Sequence, residues 1–351
     1  MMSTAVVIPT YNGEQWVARA IESVWRQSKL PAAIVVVDDA SSDGTGDVVA
    51  QLAAKSAVPI CWTRLAANTG GPARPINVGV SLCNADLVAV LDQDDVFLPD
   101  RLESHCRALT EAPQAAFAFS WYGRVDSPNE VRPSKALRDS IIATGMPVDD
   151  GVIISGPKLL TLYLHYGSFI GYPAFTFRRA DWERKGGVDE TLRIASDYEM
   201  QCYLTTVGSG VCVPRVGYLR DEHESNLSLV CVEDTSREVA GIQRRLLTKV
   251  KVGTNWPAPS FEHQRWLLDL VRWAREQGEY REAAELIRRA IAVGGLNSMV
   301  FVAGLKLCTR IACKMLYLRR ENCTVHSSAR KATPVICDSR RGVVPLPPQE
   351  P

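Results

Sequence analysis

The 351-residue chain has no surplus of either charge: 40 basic residues against 39 acidic ones leave +1. Nothing in that balance calls for a nucleic-acid partner. Its ten cysteines form no C-x-x-C pair and no zinc-like spacing, so they fit reduced, mostly buried thiols. Nor is there a helical H-x-x-x-H pair, so His165 and His223 read as structural or acceptor-side groups before metal ligands. The first residues enter an apolar run at once, Thr4 to Ile8, without the basic-then-apolar layout of a signal peptide; a cytoplasmic location is the expectation. An unbroken membrane-spanning run is also missing. The long apolar stretch Leu296–Leu318 is interrupted by Lys306, Arg310 and Lys314 on one helical face, with Arg319 and Arg320 following. Such a helix would either pack on the protein or make a peripheral contact, through 296–320, with anionic lipid on the inner face of the cytoplasmic membrane.

What is present is a globular composition, 46% hydrophobic and 23% charged, with material for one large domain or two. Through residue 120, apolar runs at Val6–Ile8, Ile34–Val37, Ile60–Thr63 and Leu87–Leu91 alternate with helical patterns at Glu14–Gln27, Asp47–Ala54 and Pro75–Leu82. That rhythm predicts an α/β fold with a mostly parallel, doubly wound sheet. Trp16 and Trp25 read as core anchors on the first helix, and core packing is the default for Trp121 and Tyr122. Residues 121–165 look less regular, an insertion or part of an acceptor site. A strand at Pro173–Arg178 and a helix at Ser196–Val207 follow, and from Thr235 helical patterns dominate, clearest at Phe261–Gln277 and Tyr280–Val293. The expected division is a catalytic domain over 1–230, a C-terminal helical extension over 235–320 and a disordered tail over 331–351.

Two carboxylate clusters carry most of the functional information. Ile34–Val37 runs into Asp38 and Asp39, with Ser41, Ser42, Asp43 and Gly44 beyond; Leu87–Leu91 runs into Asp92-Gln93-Asp94-Asp95. In open α/β sheets, ligands bind in the crevice beyond the carboxyl ends of the strands, which is where both clusters fall. Several acids together there can hold a hard cation and, through it, nucleotide phosphates. On an extended chain, alternate residues face opposite sides, so the three acids cannot all turn one way; Asp92 and Asp94 are expected to share a face. For Ser42 and Asp43, turn and helix-cap chemistry is the stronger reading.

In order, Ala5 to Asn12, Ala20 to Val24, Val35 to Thr45 and Leu91 to Asp95 closely resemble family 2 glycosyltransferases, which are inverting, metal-dependent enzymes of the GT-A fold. The resemblance covers roughly the first two-thirds of the chain and weakens after Ser228. It implies a role for each matching residue. Pro9, Thr10 and Tyr11 would cradle the nucleotide base, with Tyr11 as the stacking face. Asp39 would accept a hydrogen bond from a uracil-type N–H, with Asp38 its near neighbour. Asn68 and Gly70 belong to a loop from which Arg74 would contact the diphosphate, and Asp92 would stand on the nucleotide side. Asp94 would be the direct ligand of Mg²⁺ or Mn²⁺, and Asp197, in Ser196-Asp197-Tyr198-Glu199, the catalytic base. Asp95, Arg220 and His223 are secondary candidates. The chain departs from the family pattern at Ser196, where many relatives carry glutamate, which puts the electrostatic support of the base in question. The implied partners are a nucleotide-sugar donor, UDP being favoured, and a saccharide or lipid-linked acceptor used in surface polysaccharide, exopolysaccharide or glycolipid synthesis.

Rival readings stand beside this one. Asp197 could be only a helix cap and Arg74 only a surface cation. A glycoside hydrolase would not need a metal cluster at a strand end. A nucleotidyltransferase would usually show a Gly-rich loop with a basic residue after the first strand, where this chain has Pro9-Thr10-Tyr11-Asn12-Gly13. A non-catalytic sugar-nucleotide-binding protein stays open because the Ser196 departure touches the catalytic side.

Overall fold

Val6, Val7 and Ile8 are wholly buried, and the architecture follows from covering them on both faces. The computed structural model describes residues 2–249; the chain divides into units 1–266 and 267–351, and all described residues belong to the first. The helical signals at 261–277 and 280–293, the stretch 296–320 and the tail 331–351 lie outside the described residues, as does the side chain of His165.

Strand β1 (Thr4–Thr10) is central, paired in parallel with β2 (Ala33–Asp38) on one side and β4 (Leu87–Val90) on the other, with β3 (Ile60–Arg64) parallel outside β2. The crossovers that parallel pairing requires are α1 (Val17–Trp25), α2 (Thr45–Ala53) and α3 (Ala73–Leu82). α1 buries Val17, Ala20, Ile21 and Val24, the stripe that a 3.6-residue period aligns. α3 lies close on β1 because residue 79 is glycine: a Cβ there would come within 2.4 Å of Val7 Cγ1.

Beyond β4 the sheet becomes mixed. Its elements in chain order are β5 (Val96–Phe97), α4 (Arg101–Glu111), β6 (Ala115–Arg124), α5 (Lys135–Thr144), β7 (Met146–Val148), β8 (Gly151–Ile154), α6 (Gly156–Tyr166), a 3-10 turn (Tyr172–Ala174), β9 (Phe175–Arg178), α7 (Arg179–Lys185), α8 (Ser196–Val207), β10 (Ser209–Arg220), α9 (Leu227–Val230) and α10 (Val232–Lys249). The strand order is β3-β2-β1-β4-β9-β6-β10-β8-β7, with β5 on β10. β9 runs antiparallel between β4 and β6, and β6 and β10 are parallel. Register shifts around Val216 carry the end of β10 back toward β5, so Tyr218 to Arg220 arrive beside the Asp92–Asp95 turn.

Two local expectations need correction. Residues 121–165 are regular: their prolines and glycines punctuate the short β7–β8 hairpin and its flanking helices. Trp121 and Tyr122 lie within β6, and Trp121, at 3% exposure, packs in the core as expected. Trp16 is no core anchor, because α1 begins one residue later and leaves its ring at the crevice. α10 starts at Val232 and belongs to the same unit as the elements before it. Among the described cysteines all six are free, and Cys83, Cys106, Cys202 and Cys212 are buried. No helix among the described residues is long and apolar enough to cross a membrane.

Candidate active site

The ends of β1 and β2 are sewn together by side chains. The Asn12 N–H donates to Ser41 Oγ (2.9 Å), the Gly13 N–H to Thr45 Oγ1 (2.8 Å), and the Ser42 N–H to Asn12 Oδ1 (2.8 Å). Asp38 is wholly buried and accepts from the Ser41 N–H (2.8 Å) and hydroxyl (2.5 Å). Asp39 accepts from both the N–H and the hydroxyl of Thr69, at 3.0 to 3.1 Å, and so pins the loop that carries Asn68 and Gly70 and leads to Arg74 in the first turn of α3. Asn68 Oδ1 closes that loop on the Gly70 N–H (2.8 Å), and Gly70 takes the left-handed φ of +83° that favours glycine. Arg74 reaches Glu190 Oε2 (3.1 Å). Asp43 joins the α2 start: burial opposes its ionisation, yet the Thr45 hydroxyl and the N–H groups of Glu14 and Thr45 hold it below the usual carboxylate range. Tyr11, 46% exposed, stands at the mouth next to buried Pro9 and Thr10. Gln93 fixes this turn, accepting from the Thr10 hydroxyl (2.6 Å) and Tyr11 N–H (2.9 Å) and donating to the Tyr11 carbonyl (3.1 Å).

The second cluster is built differently. The Asp95 N–H donates to the Asp92 carbonyl (3.1 Å), so the chain turns here and the alternation expected of an extended segment does not apply. All three acids are left within one another's field. Burial, then Asp94 and Asp197, lift Asp92 to about 7 against the pull of Arg220. Burial, then Asp92 and Asp94, push Asp95 well above the carboxylate range despite the Asp221 N–H at 3.1 Å. Asp94 Oδ2 accepts from Asn226 Nδ2 (2.9 Å) and lies 3.0 Å from His223 Nε2. The His223 ring stacks on Trp16, with centroids 4.7 Å apart and planes at 9°. Arg19 ties the segment down, donating to the Asp94 carbonyl (2.6 Å) and to Asp221 (2.5 Å).

Asp197 sits at the start of α8 on the far wall of the same crevice. Burial lifts its carboxyl to about 7, against the Tyr198 N–H (2.6 Å) and Arg220. Ser196 is fully buried, and its hydroxyl has no hydrogen-bond partner. Glu199 pairs with Lys185 (3.1 Å) and accepts from the Asp189 N–H (2.9 Å). Thus the structure gathers Asp92, Asp94, Asp95, Asp197, Arg220 and His223, with Pro9, Thr10, Tyr11, Asp38 and Asp39 along the β1 and β2 ends. Arg74 stands apart on Glu190. Sequence reasoning missed Gln93, Trp16, Arg19, Thr69 and Asn226; their partners lie far along the chain, and only Gln93, inside the acidic run, carried any signal.

The glycosyl transferase family 2 model matches residues 5–186, which contain both acid clusters and the loop between them. The chain belongs to glycosyl transferase family 2. It is 27% identical over 297 residues to the succinoglycan biosynthesis protein ExoO of Rhizobium meliloti, covering 83% of this chain and 79% of ExoO. It is also 31% identical over 113 residues to the poly(ribitol-phosphate) β-N-acetylglucosaminyltransferase TarS of Staphylococcus aureus, but spans only 19% of that protein. Among solved structures, TarS 1–349 in complex with UDP superimposes with a TM-score of 0.58 at 18% identity, over 87% of this chain and 88% of that one. The Pyrobaculum calidifontis mannosyltransferase PcManGT, in complex with GDP-Man and Mn²⁺, gives 0.56 at 18% identity, over 90% and 81%. The fold is therefore that of the GT-A glycosyltransferases, and the glycosyltransferase family places the chain among enzymes.

Proposed function

We propose that this glycosyltransferase moves a sugar from a nucleotide-diphospho-sugar, a UDP-sugar first, to a hydroxyl acceptor with inversion, in surface polysaccharide, exopolysaccharide or glycolipid synthesis. The observation that carries this reading is the convergence of Asp197 with the Asp92–Asp95 turn, close enough for Asp197 to raise Asp92. The name of ExoO supports polysaccharide synthesis, and the UDP and GDP-Man complexes of the structural neighbours support a nucleotide-sugar donor.

Tyr11 would lie against the base, Asp39 would accept its N–H, and the glycine-bearing loop with Arg74 would face the diphosphate once Arg74 leaves Glu190. Asp197 would take the proton of the acceptor hydroxyl as its oxygen bonds to the anomeric carbon and the bond to the diphosphate oxygen breaks. A carboxyl with a pKa of about 7 is matched to that task near neutral pH. Arg220 steadies the ionised form. Among the described residues no three His, Cys, Asp or Glu groups form a ready metal cage. Asp94 and His223 nonetheless fit a divalent ion: a carboxylate and an imidazole nitrogen 3.0 Å apart, in a pocket whose acids raise one another. Mg²⁺ or Mn²⁺ held there with the diphosphate oxygens would neutralise charge on the departing nucleoside diphosphate. A cytoplasmic location and a peripheral contact through 296–320 belong to the same proposal; failure of the full chain to bind anionic vesicles at low salt removes that contact.

The test is nucleoside diphosphate release from a panel of nucleotide sugars, in Mn²⁺, Mg²⁺ or EDTA, by the wild-type chain and Asp94→Ala. Release from one donor, lost in EDTA and in the variant, is expected. Donor binding without release, with a cellular acceptor extract present, would replace the enzyme reading with a non-catalytic binding protein; no binding of any donor would overturn both.

A further inference from the structure

Helix α8 begins without a cap of its own. Its N-cap position is Ala195, which has no side-chain acceptor, and Ser196 beside it is buried with its hydroxyl unpaired. The N–H groups leading into the helix are nevertheless satisfied, by a carboxylate from α10. Glu238 Oε1 accepts from the Arg193 N–H at 2.7 Å, and Oε2 accepts from Ile194 at 2.9 Å and Ala195 at 2.8 Å. Three donors on one carboxylate define the path of the chain immediately ahead of Asp197. α10 is held against the same region by buried Ile242, by Gln243 donating to the Tyr198 hydroxyl (3.1 Å), and by Arg245 on Asp189 (3.4 Å).

The segment that Glu238 holds also touches the donor loop. Arg193 Nε donates to the Gly70 carbonyl (3.2 Å), and a Cβ on Gly71 would come within 2.4 Å of the Arg193 carbonyl oxygen. Thr69, next in that loop, is the residue pinned by Asp39. One contact chain therefore runs from α10 through 193–195 to both the base and the nucleotide side.

We infer that Glu238 is a positioning residue for the transfer reaction, setting Asp197 and the Gly70–Gly71 loop in register through the backbone of residues 193–195. It lies outside the 5–186 stretch that the family model matches. It supplies a carboxylate at a helix start where residue 195 is alanine and the Ser196 hydroxyl is unpaired. The inference rests on Asp197 acting as the base. Among the described residues, the charged and titratable groups that face Asp197 include Arg220 from β10, Asp92 beyond β4, Tyr172 from the 3-10 turn, Tyr163 from α6 and Cys202 of α8 itself. Removing the Glu238 carboxylate frees residues 193–195 to solvent, and easing the burial that lifts Asp197 favours its ionised form.

The experiment uses the full chain as wild type, Glu238→Gln and Asp197→Asn. In Glu238→Gln the amides of 193–195 are expected to exchange faster while those in the body of α8 keep their protection, which also shows that the variant is folded. Its kcat is expected to fall about tenfold, its donor KM to rise, and the acid limb of its pH profile to move to lower pH. A role confined to folding would lower the active fraction and leave KM and the limb in place, and that result overturns the proposal, as does wild-type exchange at 193–195. Inactive Asp197→Asn beside unimpaired Glu238→Gln overturns the positioning role alone. Wild-type turnover by Asp197→Asn overturns the base assignment and this inference with it.

Discussion

The acids at the end of β2 and those at the end of β4 look alike in sequence and behave oppositely in the fold. Asp38, Asp39 and Asp43 each accept hydrogen bonds from nearby N–H and hydroxyl groups, and they build turns. Asp92 and Asp95, with Asp197 across the crevice, are driven up the pH scale first by burial, and Asp92 and Asp95 then by neighbouring acids. The first group has spent its charge on the backbone, whereas the second keeps charge that is uncomfortable until a cation or a proton arrives. Strand-end acids are thus not one class, and the donors that each one finds decide which will recognise and which will react.

The comparison breaks most sharply at Asp197. Asp197→Asn is expected to cut turnover by roughly 10² to 10⁴ while nucleotide affinity, read by calorimetry, stays at the wild-type value. On the other side, Asp39→Ala frees Thr69 and its loop. Losing that anchor, worth about 1–3 kcal/mol, should raise donor KM by about tenfold or more, with kcat nearly kept. A pH effect separates the groups next. Asp92 and Asp197 titrate at about 7 in the fold against an ordinary 3.8. The stability they contribute is whole below the unfolded value and is lost as pH rises through about 7. In EDTA, the melting temperature of Asp92→Asn/Asp197→Asn should therefore gain on wild type from pH 5 to 8, and a gap that stays constant would refute the shifts. The smallest effect is expected at Arg74, 54% exposed in its pair with Glu190. Arg74→Ala should change stability by less than about 1 kcal/mol in urea unfolding, and a larger loss would make the pair structural.

The half of the fold around β1 was legible because parallel strands buried on both faces leave continuous apolar runs, and the helices between them keep a 3.6-residue stripe. The mixed half was not. β7 has three residues and β8 four, too few for a period to show, and their glycines and prolines read as disorder of the pattern. Asp92, Asp94 and Asp95 were found as acids, but not their arrangement, since a turn and an extended run have the same letters. Trp16 was misread by one residue of helix boundary, the least reliable feature of any periodic pattern. Thr69, Asn226 and Glu238 gave no signal, because each matters through a partner at least 30 residues away.

The most direct test of the difference between the clusters is a Mn²⁺ titration of thermal stability at pH 7.5, with UDP present, for wild type, Asp94→Ala and Asp39→Ala. Stabilisation by Mn²⁺ in wild type and Asp39→Ala, and none in Asp94→Ala, is the predicted result. An undiminished response in Asp94→Ala, or its loss only in Asp39→Ala, would contradict the account.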